Sequence, residues 1–271
     1  MQQLVLSIFP GVDLLGMAFK REGFCVVQGG DPIFGGDIRE EHYPPGRFDG
    51  VIGGPPCQAF SRMVHMVRHN GLQPTFGNLI PEFERVVSEV KPAWFLMEEV
   101  PDAPLPKVAG YEVWSTLLNN RQCMDEDGKP AKQNRVRRFS FGAQTRTVLM
   151  IDVVTFDNPV FEYAALGGSH AAAPGQRTPI KLGGSGKLKR VFRERERERE
   201  RATTLPWNAK STQAFFELCK AQGLPEGFDI TGFTVQAKCK AVGNGVPLPM
   251  GRAIARAVKE AIGAHQPAVP R

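Results

Sequence analysis

Phe48-Asp49-Gly50-Val51-Ile52-Gly53-Gly54-Pro55-Pro56-Cys57-Gln58-Ala59-Phe60-Ser61 is the stretch on which the fold of this chain turns. Its first five residues form a short apolar run of the kind that makes a buried strand. Two glycines follow, and they let the backbone approach a ligand with no Cβ in the way. Two prolines then fix φ just ahead of Cys57, so the thiol is carried out on a stiff turn. Free cysteines are usually inert core residues, and Cys57 taken alone admits that reading too.

Working outward, residues 4–9 read as a first strand, Pro10-Gly11-Val12-Asp13 as a tight turn, and residues 14–22 as a helix stopped by Gly23. Strand, glycine turn and helix open a doubly wound α/β sheet, whose ligands lie beyond the carboxyl ends of its strands. Residues 24–28 are expected to form the second strand, and Asp31 just past it is placed to accept from ribose hydroxyls. Residues 78–90 read as a helix entered through Pro81. Trp94-Phe95-Leu96-Met97 reads as a buried strand that delivers Glu98 and Glu99 at its carboxyl end, on opposite sides. Residues 111–120 look helical, whereas 134–141 and 147–154 alternate or run apolar like the arms of a hairpin. Gln133, Arg135 and Arg137, at i, i+2 and i+4, would share one face of a strand. Residues 211–222 form a helix stopped by Gly223, and a last helix runs from about 250 to 263.

With 271 residues, 42% hydrophobic and 23% charged, the chain suits one sizeable domain, or one plus a small appendage. No apolar run approaches the ~20 residues of a membrane span, and the N-terminus lacks a signal peptide's basic start and small-residue cleavage site. Five cysteines without a CxxC pair argue against a disulfide framework and a zinc site. The net charge of +6 is concentrated: residues 176–201 hold ten Lys or Arg against four Glu, which accounts for the whole excess. Such a stretch suits a polyanionic partner, although a solvated loop has the same composition. Within it, the strict Arg/Glu alternation of 193–201 reads as a low-complexity repeat.

Gly53-Gly54-Pro55-Pro56-Cys57-Gln58-Ala59-Phe60-Ser61 closely resembles the nucleophile motif of the cytosine-C5 DNA methyltransferases. Further blocks of that family appear in its order: Phe95-Leu96-Met97-Glu98-Glu99-Val100, Gln133-Asn134-Arg135-Val136-Arg137 and Gly243-Asn244-Gly245-Val246-Pro247. The resemblance spans about residues 4–150 and 234–262. It implies a Rossmann-like S-adenosylmethionine-dependent domain built from 1–150 plus 234–271, with 151–233 as a small, irregular target-recognition region.

By that resemblance Cys57 adds covalently to a flipped-out cytosine, Glu98 supplies the acid at ring nitrogen 3, and Arg135 binds the base's carbonyl oxygen with Gln133 and Arg137 beside it. Phe9, Gly11, Asp31, Asp37, Ile38, Pro55, Leu79, Asn244 and Val246 would bind the cofactor. Gln58, Ser61 and Arg62 would meet DNA, joined by Lys187, Lys189 and Arg190 from the basic stretch. The implied protein is a monomeric DNA (cytosine-5-)-methyltransferase of the restriction-modification kind, acting on double-stranded DNA in the cytoplasm of a bacterium or phage-infected host, with no metal and no membrane. Two departures stand out: Asp13-Leu14 where the family carries adjacent glycines, and Glu99 where it carries asparagine. They leave open a catalytically impaired DNA-binding homologue, and the same blocks would serve cytosine in RNA.

Overall fold

A computed structural model describes residues 2–56, 77–131, 133–154 and 212–264. Six strands, β1 (Leu4–Ile8), β2 (Cys25–Gln28), β3 (Gly50–Gly53), β4 (Trp94–Glu99), β5 (Glu112–Asn119) and β6 (Val136–Ala143), form one sheet in the order β2-β1-β3-β4-β6-β5. The first four run parallel; β6 is antiparallel to β4, and β5 to β6. Among the described residues five α-helices accompany them: α1 (Leu14–Arg21), α2 (Ile80–Val90), α3 (Thr212–Ala221), α4 (Val235–Asn244) and α5 (Leu248–Gly263).

The central strands are mainly apolar, apart from Ser7 and the terminal Glu98 and Glu99, because both faces of the sheet are covered. Alternate residues enter opposite cores. Val5, Ile52, Trp94 and Leu96 pack with Leu15 and Phe19 of α1 and Ile254 and Val258 of α5. Leu6, Ile8, Val51, Phe95 and Met97 pack with Phe83, Val86, Val87 and Val90 of α2. Helix α2 buries Ile80, Phe83, Val86, Val87 and Val90, a stripe of helical period, and has Pro81 in its first turn, where a missing N–H costs nothing. A third core joins Phe215 and Leu218 of α3 to Leu14 and Ala18 of α1 and Val242 of α4. No helix among the described residues is long and apolar enough to cross a membrane.

Two sequence expectations need correction. Residues 112–119 form the edge strand β5 rather than a helix, because they pair along their whole length with β6. The hairpin is therefore β5–β6, and residues 147–154 contribute no strand to it.

This topology positions the site. The chain leaves β1 for β2 on one side and returns to β3 on the other, so a crevice opens at the carboxyl ends of β1 and β3. Strand β6 runs the opposite way to β4, with Glu99 facing Arg138 and Glu98 facing Phe139. The start of β6 thus reaches the sheet edge where β4 ends.

Candidate active site

Gly53, the last residue of β3, and Gly54 just after it both sit where an added Cβ would meet a close neighbour. A Cβ on Gly53 would lie 2.6 Å from the carbonyl oxygen of Ile8, and one on Gly54 would lie 2.8 Å from Oε2 of Glu98. The glycines therefore bring the turn that continues into Pro55-Pro56 directly against the carboxyl group of Glu98. Pro55 is buried. Cys57, Gln58, Ser61, Arg62, Lys187, Lys189 and Arg190 lie outside the described residues.

Glu98 and Glu99, the last residues of β4, are both buried. Oε1 of Glu98 lies 2.9 Å from Nε of Arg137 on β6. That oxygen has no hydrogen-bond partner in good alignment, so the contact is one of charge with charge. Glu99 differs: its Oε2 accepts from the backbone N–H of Val100 at 2.8 Å, and its Oε1 is buried without a hydrogen-bond partner. Burial pushes the Glu99 carboxyl up to about 8; the Val100 N–H opposes this, the Glu98 charge adds to it, and Arg137 again opposes it.

Gln133, Arg135 and Arg137 do not meet on one strand face. Only Arg137 belongs to β6. Gln133 is buried and accepts from Asn120 Nδ2 at 3.1 Å. Arg135, expected on the carbonyl oxygen of the base, instead donates to the carbonyls of Gly243, Asn244 and Gly245 at 3.0, 3.3 and 3.3 Å. The reason is local: before Val136 the chain is outside the β5–β6 ladder, and Asn119 Oδ1 fixes the Arg135 N–H at 3.1 Å. Arg137 is consequently the arginine beside Glu98.

On the cofactor side, the β1–α1 turn has left-handed φ at Phe9 (52°), Gly11 (54°) and Asp13 (57°). Asp13 occupies a conformation in which glycine is the usual residue. It is held there by its own carboxylate, which accepts from Ser7 Oγ at 2.7 Å, Gly16 N at 3.1 Å and Gln28 Nε2 at 2.7 Å. It thus caps α1 and ties β1 to β2, which explains how the chain dispenses with a glycine there. Asp31 spans the adjacent turns, accepting from Gly11 N and Ile33 N, both at 2.9 Å. Asp37 is partly exposed and pairs with Arg39, whose hydrogen bonds hold its carboxyl down at about 2. Ile38 and Val246 are buried in the two main cores. Leu79 precedes α2, and Asn244 is exposed at the end of α4.

Sequence reasoning missed Asp13 as a hub, and it missed Glu41. The Glu41 carboxylate accepts from Gly30 N at 2.8 Å and from the Tyr43 hydroxyl, so it supports the turn after β2. No local motif marks it. A shallow recess lined by Glu112, Trp114 and Arg146 lies along β5, at the sheet edge away from these groups. Among the described residues no cluster of His, Cys, Asp and Glu could hold a metal ion.

The fold is that of the Rossmann-like DNA methyltransferases. It matches the S. pombe Dnmt2 methyltransferase with a TM-score of 0.55 at 14% identity, covering 96% of this chain and 99% of that one. It also matches the Entamoeba histolytica methyltransferase EhMeth at 0.53 and 12%, covering 97% and 99%. The chain belongs to the C-5 cytosine-specific DNA methylase family, whose model matches residues 34–214. Among curated relatives, Type II methyltransferase M.FnuDI of Fusobacterium nucleatum is 29% identical over 42% of this chain and 41% of its own length. M.AquIA of Picosynechococcus is 30% identical over 49% and 59%, and M.HgiGI of Herpetosiphon aurantiacus is 30% identical over 38% and 94%. The chain thus spans about two fifths to three fifths of the length of M.FnuDI and M.AquIA.

Proposed function

We propose that the protein methylates carbon 5 of cytosine in double-stranded DNA, using S-adenosylmethionine and a covalent Cys57 adduct. The observation that carries this reading is the approach of Gly54 to Glu98, with Arg137 on the other side of the same carboxyl group. It brings the Gly54-Pro55-Pro56 turn, an acid and a cation together at the carboxyl ends of β3 and β4.

Cytosine carbon 5 is too poor a nucleophile to be methylated directly, so the ring must first be activated by addition at carbon 6. A thiolate does this well and also leaves readily. Free cysteine titrates near ~8.5, and cations or turn amides close by favour the thiolate. As Cys57 adds at carbon 6, electrons move onto the ring, and Glu98 is the carboxyl group that delivers a proton to ring nitrogen 3 in the complex; once carbon 5 carries the methyl group, loss of the carbon-5 proton restores the ring and releases Cys57. Arg137 pairs with the Glu98 carboxyl, and for that reason we assign it to the ring's carbonyl oxygen, the role that the resemblance implied for Arg135. In a duplex the base must first be flipped out, at a cost of a few kcal/mol. Phosphate contacts from Arg62 and from Lys187, Lys189 and Arg190 help offset that cost.

The residues at the crevice fit S-adenosylmethionine. Gly11 leaves the strand end open, and the Asp31 oxygens, each with two lone pairs, retain accepting capacity for ribose hydroxyls. Phe9, Asp37, Pro55, Leu79 and Asn244 would complete the pocket, with Ile38 and Val246 backing it from the cores. When bound, the cofactor supplies an electrophilic methyl group.

The test is transfer of labelled methyl from S-adenosylmethionine to duplex DNA and, side by side, to tRNA, with bisulfite sequencing of the product. Label at cytosine 5 of DNA is expected, and Cys57→Ala should abolish it while cofactor binding persists. Label confined to tRNA, or undiminished turnover by Cys57→Ala, would sink the proposal.

A further inference from the structure

A helix leaves its last carbonyls without partners inside the helix, and each must find one elsewhere. At the end of α4 the N–H of Gly245 reaches the Val242 carbonyl at 3.2 Å, but Gly245 is extended, so no left-handed residue closes the helix. Two side chains from distant parts of the chain do so instead. Arg135 takes the carbonyls of Gly243, Asn244 and Gly245. Gln222, which follows α3, donates from Nε2 to Val242 at 2.9 Å and to Gly245 at 3.4 Å. Both side chains are buried, and a cation at this end also meets the negative pole of the helix. The backbone of Arg135 is itself anchored, since its carbonyl accepts from Asn120 N at 2.9 Å.

We propose that Arg135 is a positioning residue: it fixes the 243–246 segment, with Asn244 and Val246, to the strand that carries Arg137, and so sets the cofactor side of the crevice in register with Glu98. The cofactor part of this proposal rests on the function proposed above. Lysine cannot replace Arg135, because a point charge cannot bridge three successive carbonyls as a planar fork does.

The experiment compares the full-length chain with Arg135→Lys and Gln222→Leu. The readouts are amide hydrogen exchange at Gly245 and Leu248 without ligand, S-adenosylhomocysteine binding by calorimetry, and kcat and KM for the cofactor. Loss of a charge-assisted cap should raise exchange about 10-fold or more and weaken binding about 10-fold in Arg135→Lys. The kinetic loss should fall mainly on KM. Gln222→Leu should move exchange and binding in the same direction, and it decides the matter if Arg135→Lys fails to fold. Arg137→Gln should do the reverse, lowering kcat with little change in cofactor affinity. Unchanged exchange in both variants overturns the proposal, as does a fall in kcat with unaltered affinity in Arg135→Lys, which would return Arg135 to the base. If the unsubstituted protein binds no S-adenosylhomocysteine, the functional reading fails, and exchange at Gly245 and Leu248 still decides whether Arg135 positions the segment.

Discussion

Glu99 offers a quantitative test of the site's electrostatics. The carboxyl titrates near 4.5 when exposed in the unfolded chain and is pushed up to about 8 in the fold, chiefly by burial. Across that window the folded state binds one more proton than the unfolded state, so stability falls as pH rises. The contribution is fully present below the unfolded value and is lost as pH climbs through the folded one. The slope is about 1.4 kcal/mol per pH unit, which integrates to about 2 kcal/mol between pH 6 and 8 for this one group. Glu99→Gln keeps the shape and removes the titration, so every other pH effect common to both proteins cancels in the difference. Urea denaturation of both at pH 6 and pH 8 should show the wild type losing about 2 kcal/mol more than the variant. Parallel losses would mean that water or another proton donor reaches the orphaned Oε1, and the account of Glu99 as a neutral buried acid would be wrong.

Three further outcomes follow from the same geometry. Glu98→Gln should lower methyl transfer by about 10²–10⁴, whereas Glu99→Asn, the residue usual in the family, should be tolerated; single-turnover rates separate the two. Gly54→Ala forces a Cβ to 2.8 Å from the Glu98 carboxylate and should cost on the order of 10²-fold in kcat by displacing the acid, while circular dichroism stays that of the wild type. Replacing Lys187, Lys189 and Arg190 together with Ala should flatten the slope of log DNA affinity against log salt by about 2 to 3, and an unchanged slope would relegate the basic stretch to solvent.

How far the sequence can be read depends on where each element gets its stability. Strands β1, β3 and β4 are legible because burial on both faces makes them mainly apolar runs, and the two acids that close β4 stand out against that background. Strand β5 is not legible: Val113, Trp114, Leu117 and Leu118 have spacings that a helix face would also show. What makes it a strand is its pairing with β6, a contact that no local window contains. The Gln133-Asn134-Arg135 stretch misleads for a related reason. Spacing alone puts its side chains on one face, but the ladder begins only at Val136, leaving Arg135 to be claimed by carbonyls 108 to 110 residues away. Asp31 shows the opposite case, where the acid stands where expected but both oxygens already serve backbone amides.

The packing of α5 against α1 has a consequence for how the chain is made. Glu22, just after α1, receives Arg252 Nε at 2.7 Å, Arg256 Nη1 at 3.3 Å and, on its carbonyl, Lys259 Nζ at 2.8 Å. On the ribosome these partners are separated by some 230 residues, so at ~5–20 residues per second the first strand-helix unit waits on the order of 10–50 s for its cover. Throughout that wait, Leu15, Phe19 and Val5 lack the helix that buries them. Nascent chains should therefore depend on chaperone binding to their first quarter, and the crevice should become competent only when the last helix has emerged.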